Sequence, residues 1–252
     1  NTAMGYLALA LNTTAANNTA VGREALTANT TGTENTALGY VALQDNTTGV
    51  NNVALGRAAI GNNIDGNNNS AVGHNALRLN TTGDNNVAVG ISALYNNTAD
   101  NNTAVGGSAL VANTSGGYNT AVGYLSLDAN TTASYNTALG RESLTDNITG
   151  AQNSAVGVYA LRRNTTGTSN TGMGYASLIT NTTGTNNTAY GHNSLYANTT
   201  SSNNTALGTN ALIANTTGSS NAAVGSGALD ANTTGAANTS VGVSSLGSTT
   251  TG

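Results

Sequence analysis

Apolar residues recur at four fixed places of a 17-residue phrase, and the polar residues between them keep the same beat. The beat is easiest to count on glycine. It falls at Gly5, Gly22 and Gly39 and so on to Gly242, always 17 apart except for a 16-residue step from Gly90 to Gly106. The chain is therefore fifteen repeats: thirteen of 17 residues, one of 16 and a last one of 15. Within the phrase, position 1 is always Asn, position 3 is Ala except at Gly172 and Ser240, and position 4 is apolar in every copy. Position 8 is Ala or Ser, position 9 is Leu except at Ile60, and position 12 is Asn except at Thr249. Positions 13 and 14 are mostly Thr and position 15 mostly Gly.

This pattern predicts an all-β chain, a parallel β-solenoid or β-roll of fifteen roughly 17-residue coils. The period is too short for helix-pair repeats, which need about 33 residues, and a Gly with two Asn-Thr segments per copy interrupts any helix. "NTAVG" predicts a strand ending at Gly, "ALxxN" a second inward pair and a corner, and "NTTG" a third short segment and a turn. Glycines at positions 5 and 15 are expected to take positive φ at corners. Asn at positions 1 and 12 is expected to adopt the left-handed conformation and to stack amide on amide between coils. The aliphatic columns at positions 4 and 9 are both expected in the core. An antiparallel meander is disfavoured, because Asn-Gly never occurs and Asp-Gly only at Asp65-Gly66. The short repeat, Asn86–Asn101, predicts an altered turn near Ala99-Asp100, with the glycine column resuming at Gly106.

Charge sharpens inside against outside. All six Arg, both His and six of the ten acids stand at positions 6, 7, 10 and 11. The other four acids, Glu34, Asp65, Asp84 and Asp100, fall at positions 14 to 17. With no Lys and scattered Arg there is no basic patch for nucleic acid, and no apolar run is long enough for a membrane span. Zero Cys excludes a disulfide framework and the usual zinc sites. Residues 1–252 read as one continuous repeat array, part of a longer fibre. The first and last repeats carry no polar cap, so the array is expected either to continue or to dock end to end.

The string "NNTAVG" at 17–22 and 101–106, with "NNTAYG" at 186–191, resembles the "NSVAIG" signature of trimeric autotransporter adhesin heads. "NSAVGHNA" at 69–76 and "NSAVGVYA" at 153–160 come nearest, and the repeat style is similar to shafts of bacteriophage tail fibres. The resemblance implies left-handed β-rolls with three chains side by side. The family repeats at a shorter period, and here "ALxxNTTG" fills the difference.

Candidate chemistry is thin. His74 and His192 share outward position 6, seven repeats apart, too far for one metal or catalytic site. Arg23–Glu24 and Arg141–Glu142 read as outward ion pairs. Asp65 with Asp84 suggests calcium only weakly, since the regular Asp of calcium-binding repeats is missing. "VGxxAL" is a hexapeptide-like turn that does not recur at sixes, which argues against an acyltransferase. A glycosylation sequon starts at position 12 in twelve repeats, set against a buried Asn ladder. Thr ranks at positions 2, 13 and 14 raise ice binding. Tyr6, Tyr40, Tyr124 and Tyr175 at position 6, with Tyr95 and Tyr196 at position 10, raise contact with sugars or neighbouring fibres. No catalytic, cofactor-binding or metal residue is assigned, and no cofactor. The expectation is a non-enzymatic extracellular structural fibre or adhesin stalk, at a cell surface or in a virion. The alternatives are a phage tail-fibre shaft or receptor-binding segment, and an ice-binding solenoid. Expected partners are further copies, as a side-by-side trimer or end-to-end filament, and a surface glycan or protein.

Overall fold

Positions 2–4 of every repeat form a three-residue strand, and the glycine at position 5 ends it. The computed structural model describes residues 1–251, and its residues group into two compact units, one Asn1–Tyr124 and the other starting at Leu125. The first unit holds β1 (Thr2–Met4) to β8 (Thr120–Val122), and the second β9 (Thr137–Leu139) to β15 (Thr239–Val241). Within each unit the strands are parallel and stack in chain order. They are in register at the repeat spacing, Thr2 opposite Thr19, Ala3 opposite Ala20 and Met4 opposite Val21. Each unit is a stack of β-solenoid coils, the fold class the repeat predicts.

Only one of the three expected segments is a regular strand. The rest of the coil still bonds to its neighbours along the chain. Leu26 N–H donates to Ala42 O at 3.0 Å and Thr30 N–H to Thr47 O at 3.0 Å on the following coil, while Glu24 N–H donates back to Tyr6 O at 2.8 Å. Positions 7, 9 and 17 do the cornering, and apart from Gly227 they do it with non-glycine residues. Position 9 has φ between 47° and 54° in all fifteen copies, including Ile60. Left-handed conformation costs an L-residue roughly 1–2 kcal/mol. In return it turns two consecutive side chains, Ala or Ser at position 8 and Leu at position 9, into the interior. Both columns are fully buried through the interior coils, as in Ala25-Leu26 and Ala93-Leu94.

The expected roles of glycine and asparagine need correction. Position 5 glycines do have positive φ, 129° to 146°. Position 15 glycines do not. They are there for room, since a Cβ on Gly66 would lie 2.6 Å from Gly83 O and 2.5 Å from Asn63 Oδ1. The Asn at positions 1 and 12 are not left-handed either, yet the amide stacking is present in full. Asn35 N–H donates to Asn18 Oδ1 at 2.9 Å, and Asn46 Nδ2 donates to Asn29 Oδ1 at 2.8 Å. Both columns also converge on the position 15 carbonyl. Gly32 O accepts from Asn18 Nδ2 at 2.8 Å and Asn29 Nδ2 at 2.9 Å. Interior Asn side chains are buried with nearly all of their polar atoms engaged, which is what lets an amide sit in a core. The position 12 ladder ends where the column becomes Thr249: with no amide above it, Asn232 Oδ1 is left without a partner.

The larger correction concerns position 4. From Ala20 to Ala223 the position 3 alanines are fully buried, but position 4 is half-exposed or exposed in every strand, with Leu38 at 48%, Leu139 at 39% and Leu207 at 49%. Strand side chains alternate. With position 3 pointing in, positions 2 and 4 must point out. One Leu and two small residues already fill the narrow cross-section, so each coil buries one large aliphatic side chain rather than two.

The short repeat behaves as expected. The missing residue is position 14: Asn97 Nδ2 reaches Ala99 O two residues on at 2.7 Å, where Asn80 reaches Gly83 O three residues on at 2.8 Å. The turn contracts, the strands stay in register with Val87 opposite Thr103, and Gly106 N–H bonds to Val89 O at 2.7 Å.

Candidate functional site

Two surfaces stand out once the core is assigned. The first is the outer face of the strands. Position 2, mostly Thr, and position 4, Val, Leu, Met or Tyr, form two parallel ranks along each unit, with no charged residue at positions 1 to 5. Stacked coils set successive side chains about 4.8 Å apart. No position 2 Thr hydroxyl has a hydrogen-bond partner within the chain among the described residues. The position 13 Thr hydroxyls do: Thr30 Oγ1 donates to Thr47 O at 3.0 Å and Thr182 Oγ1 to Thr199 O at 3.0 Å. Of the Thr ranks, position 2 faces outward with free hydroxyls, while position 13 serves the ladder.

The second surface carries the charge and the aromatics at positions 6, 7, 10 and 11. In the first unit Arg23 stands 5.7 Å from the ring centroids of both Tyr6 and Tyr40, and Arg57 stands 5.8 Å from Tyr40. Arg23 Nε also bonds Glu24 Oε1 at 3.0 Å. In the second unit Glu142 bridges Arg141 at 2.7 Å and Arg162 at 3.1 Å, and both guanidiniums lie over Tyr159. Tyr159 meets Tyr175 edge-on at 5.9 Å, and Tyr175 stacks on His192 at 5.3 Å. The position 6 tyrosines are exposed, and Tyr6, Tyr40 and Tyr175 each meet a cation or ring on a neighbouring coil. Tyr159, at position 7, belongs to this cluster although the two Tyr columns do not include it. Tyr118 and Tyr135, at position 17, are exposed as well. Beside this cluster burial pushes the Asp128 carboxyl up to about 6, helped by the charges of Asp146 and Glu142 and opposed by backbone hydrogen bonds. Burial raises Asp45 as well.

The remaining candidates are placed as follows. His74 lines a groove in the first unit with Arg57 and Arg78, and His192 belongs to the stacked cluster of the second. Asp84 Oδ1 accepts from Asn67 N–H at 2.6 Å, and Asp100 Oδ1 from Asp84 N–H at 2.8 Å. These position 16 acids thus satisfy backbone donors of the preceding coil, and Asp65 is an exposed position 14 residue. Among the described residues no three His, Asp or Glu side chains gather to hold a metal ion, and no helix is long and apolar enough to cross a membrane. The sequon Asn of the interior coils are buried, and the Nδ2 a glycan would need donates inward, as in Asn164 to Asn147 Oδ1 at 2.8 Å. The native fold withholds that atom from modification.

No protein-family model matches the chain, and no curated protein matches its sequence. The functional reading therefore rests on these two surfaces.

Proposed function

We propose that the protein is a non-enzymatic structural element of an extracellular fibre, a shaft or adhesin stalk, whose copies pack side by side through the outer strand face. One observation carries this reading: the aliphatic rank at position 4 is left half-exposed or exposed in every coil of both units. Apolar area of that continuity, without charge, marks a contact surface. A second copy is the occupant that fits best. It presents the same ranks at the same spacing, so ridges of one face seat between ridges of the other at every coil, and there is no charge to select an unlike partner. The resemblance of the strand motif to adhesin heads and tail-fibre shafts supports three copies, at a cell surface or in a virion.

Light scattering on the purified chain tests this. The expected native mass is three times 24.8 kDa. Val72→Lys combined with Val89→Lys should give a single-chain mass with an unchanged circular dichroism spectrum, because both residues are exposed. A wild-type chain that stays single at high concentration would overturn the reading.

The free position 2 hydroxyls favour one further reading. A flat rank of unbonded Thr beside an apolar rank is the kind of surface that orders water, as an ice-binding face does. Thermal hysteresis shown by the single-chain wild type, and lost in Thr103→Lys, would favour that reading over the fibre.

A further inference from the structure

On the charged surface of the first unit, the coil spanning 52–68 is undersized. Its position 7 is Ala58 and its position 10 is Gly61, while the coils on either side carry Val41 and Asn75, and Gln44 and Arg78, at the same places. A groove of about 440 Å³ opens over this coil, with Ala58 as its buried floor. Tyr40, Arg57 and His74 form one wall from position 6, and Gln44 and Arg78 face them from position 10. A volume of this size lies within the usual range for ligand sites, about 300–1,000 Å³.

The charge in the groove is unbalanced. Its one acid, Glu24, is already committed: it pairs with Arg23 at 3.0 Å and accepts from Gln44 Nε2 at 3.1 Å. Arg57 and Arg78 have no ionic or hydrogen-bonding partner among the described residues. In a chain with only six Arg and a net charge of -4, two unpaired guanidiniums face one hollow, with His74 beside them. In the second unit the comparable Arg141 and Arg162 are both paired, with Glu142. Tyr40 lies within cation–π range of both Arg23 and Arg57, which fixes the Arg57 side chain at the rim.

From this we infer that the groove binds an acidic saccharide, a carboxylated or sulfated sugar chain. Arg is the side chain suited to two-pronged recognition of carboxylate and sulfate oxygens. Gln44, Asn75 and the Tyr40 hydroxyl supply the neutral donors and acceptors that ring hydroxyls need. The groove spans successive coils about 4.8 Å apart, close to the length of one pyranose unit, so a sugar chain running along the stack meets Arg57 and Arg78 with neighbouring units. The groove lies on positions 6, 7 and 10 and the proposed packing face on positions 2 and 4, so either assignment can fail without the other.

Calorimetric titration at low salt with two probes tests the site: a galacturonic acid tetramer for carboxylate, and a heparin-derived tetrasaccharide for sulfate. Saturable binding of at least one is expected, with no binding of the methyl-esterified galacturonate tetramer. Arg57→Gln or Arg78→Gln should each weaken binding about tenfold or more. Ala58→Tyr should abolish it by filling the hollow from its floor. That change suits the fold, because Tyr159 occupies the same position with the same left-handed backbone, φ 63° against 54° at Ala58. Arg163→Gln, in the second unit, should change nothing. The inference is overturned if neither probe binds, if inorganic sulfate at equal charge binds as tightly as the tetramers, or if Ala58→Tyr, shown to be folded by circular dichroism, binds as the wild type does.

Discussion

At position 5 two constraints meet on one atom. The backbone there has φ near 135°, open in practice to glycine alone, and a Cβ would also run into the next coil, 2.5 Å from Gly73 O in the case of Gly56. At position 15 only the second constraint acts, and the column already accepts Ala15, Ala99, Ala133 and Ser201. Gly56→Ala should therefore destabilise by about 3 kcal/mol or more, from backbone strain plus a displaced coil. Gly66→Ala should cost clearly less. Urea melts of the two variants check this, and equal midpoints would mean that the backbone angle contributes nothing. The Ala/Ser exchange at position 8 is explained at the same scale. A buried Ser hydroxyl donates to the position 5 carbonyl three residues back, as Ser143 does to Gly140 O at 2.9 Å and Ser194 to Gly191 O at 3.0 Å, so the polar atom is satisfied without altering the column.

The coil, as an element, offers an internal comparison. Leu139 at position 4 and Leu144 at position 9 belong to the same coil and are the same residue type, yet one is 39% exposed and the other fully buried. Leu144→Asp buries an unpaired carboxylate beside Ala160 and Leu161 and should abolish the folded β signal, since such burial costs several kcal/mol. Leu139→Asp should leave the melting temperature of the single chain within a few degrees of wild type, because the surface it alters faces water. Circular dichroism melts at low protein concentration read both, and a large loss in Leu139→Asp would show that position 4 supports the coil itself. "NTAVG" ended by glycine shows the strand plainly. The corner at positions 7 to 9 does not show, because Leu and Ile at φ near 50° contradict local preference and are held there by stacking alone.

For the whole molecule, the two surfaces should respond in opposite ways to salt. The proposed packing through positions 2 and 4 would remove apolar area and involve no charge, so raising sodium sulfate should preserve or strengthen any assembled form. Saccharide binding at Arg57 and Arg78 is electrostatic and should weaken as ionic strength rises and the Debye length falls to about 3 Å at 1 M. Sedimentation and titration across the same salt series separate the two. An assembly that dissolves as salt rises would point to the charged surface, not the strand face, as the contact.

The sequence alone determined the coil length, the parallel stacking, the buried columns at positions 8 and 9, the Asn ladders and the place of the shortened turn. Each is written in the repeat: a 17-residue period places like residues on like, and only stacked coils make a column of Asn useful. The tertiary structure decided which aliphatic column stays in contact with water. Positions 4 and 9 look alike as letters, and the choice between them depends on strand alternation, on the left-handed corner and on how little a narrow coil can hold. It also decided that a hollow opens over Ala58. Ala58 is not unusual in its own repeat, and the space exists only because the larger Val41 and Asn75, 17 residues before and after, stand on either side of it.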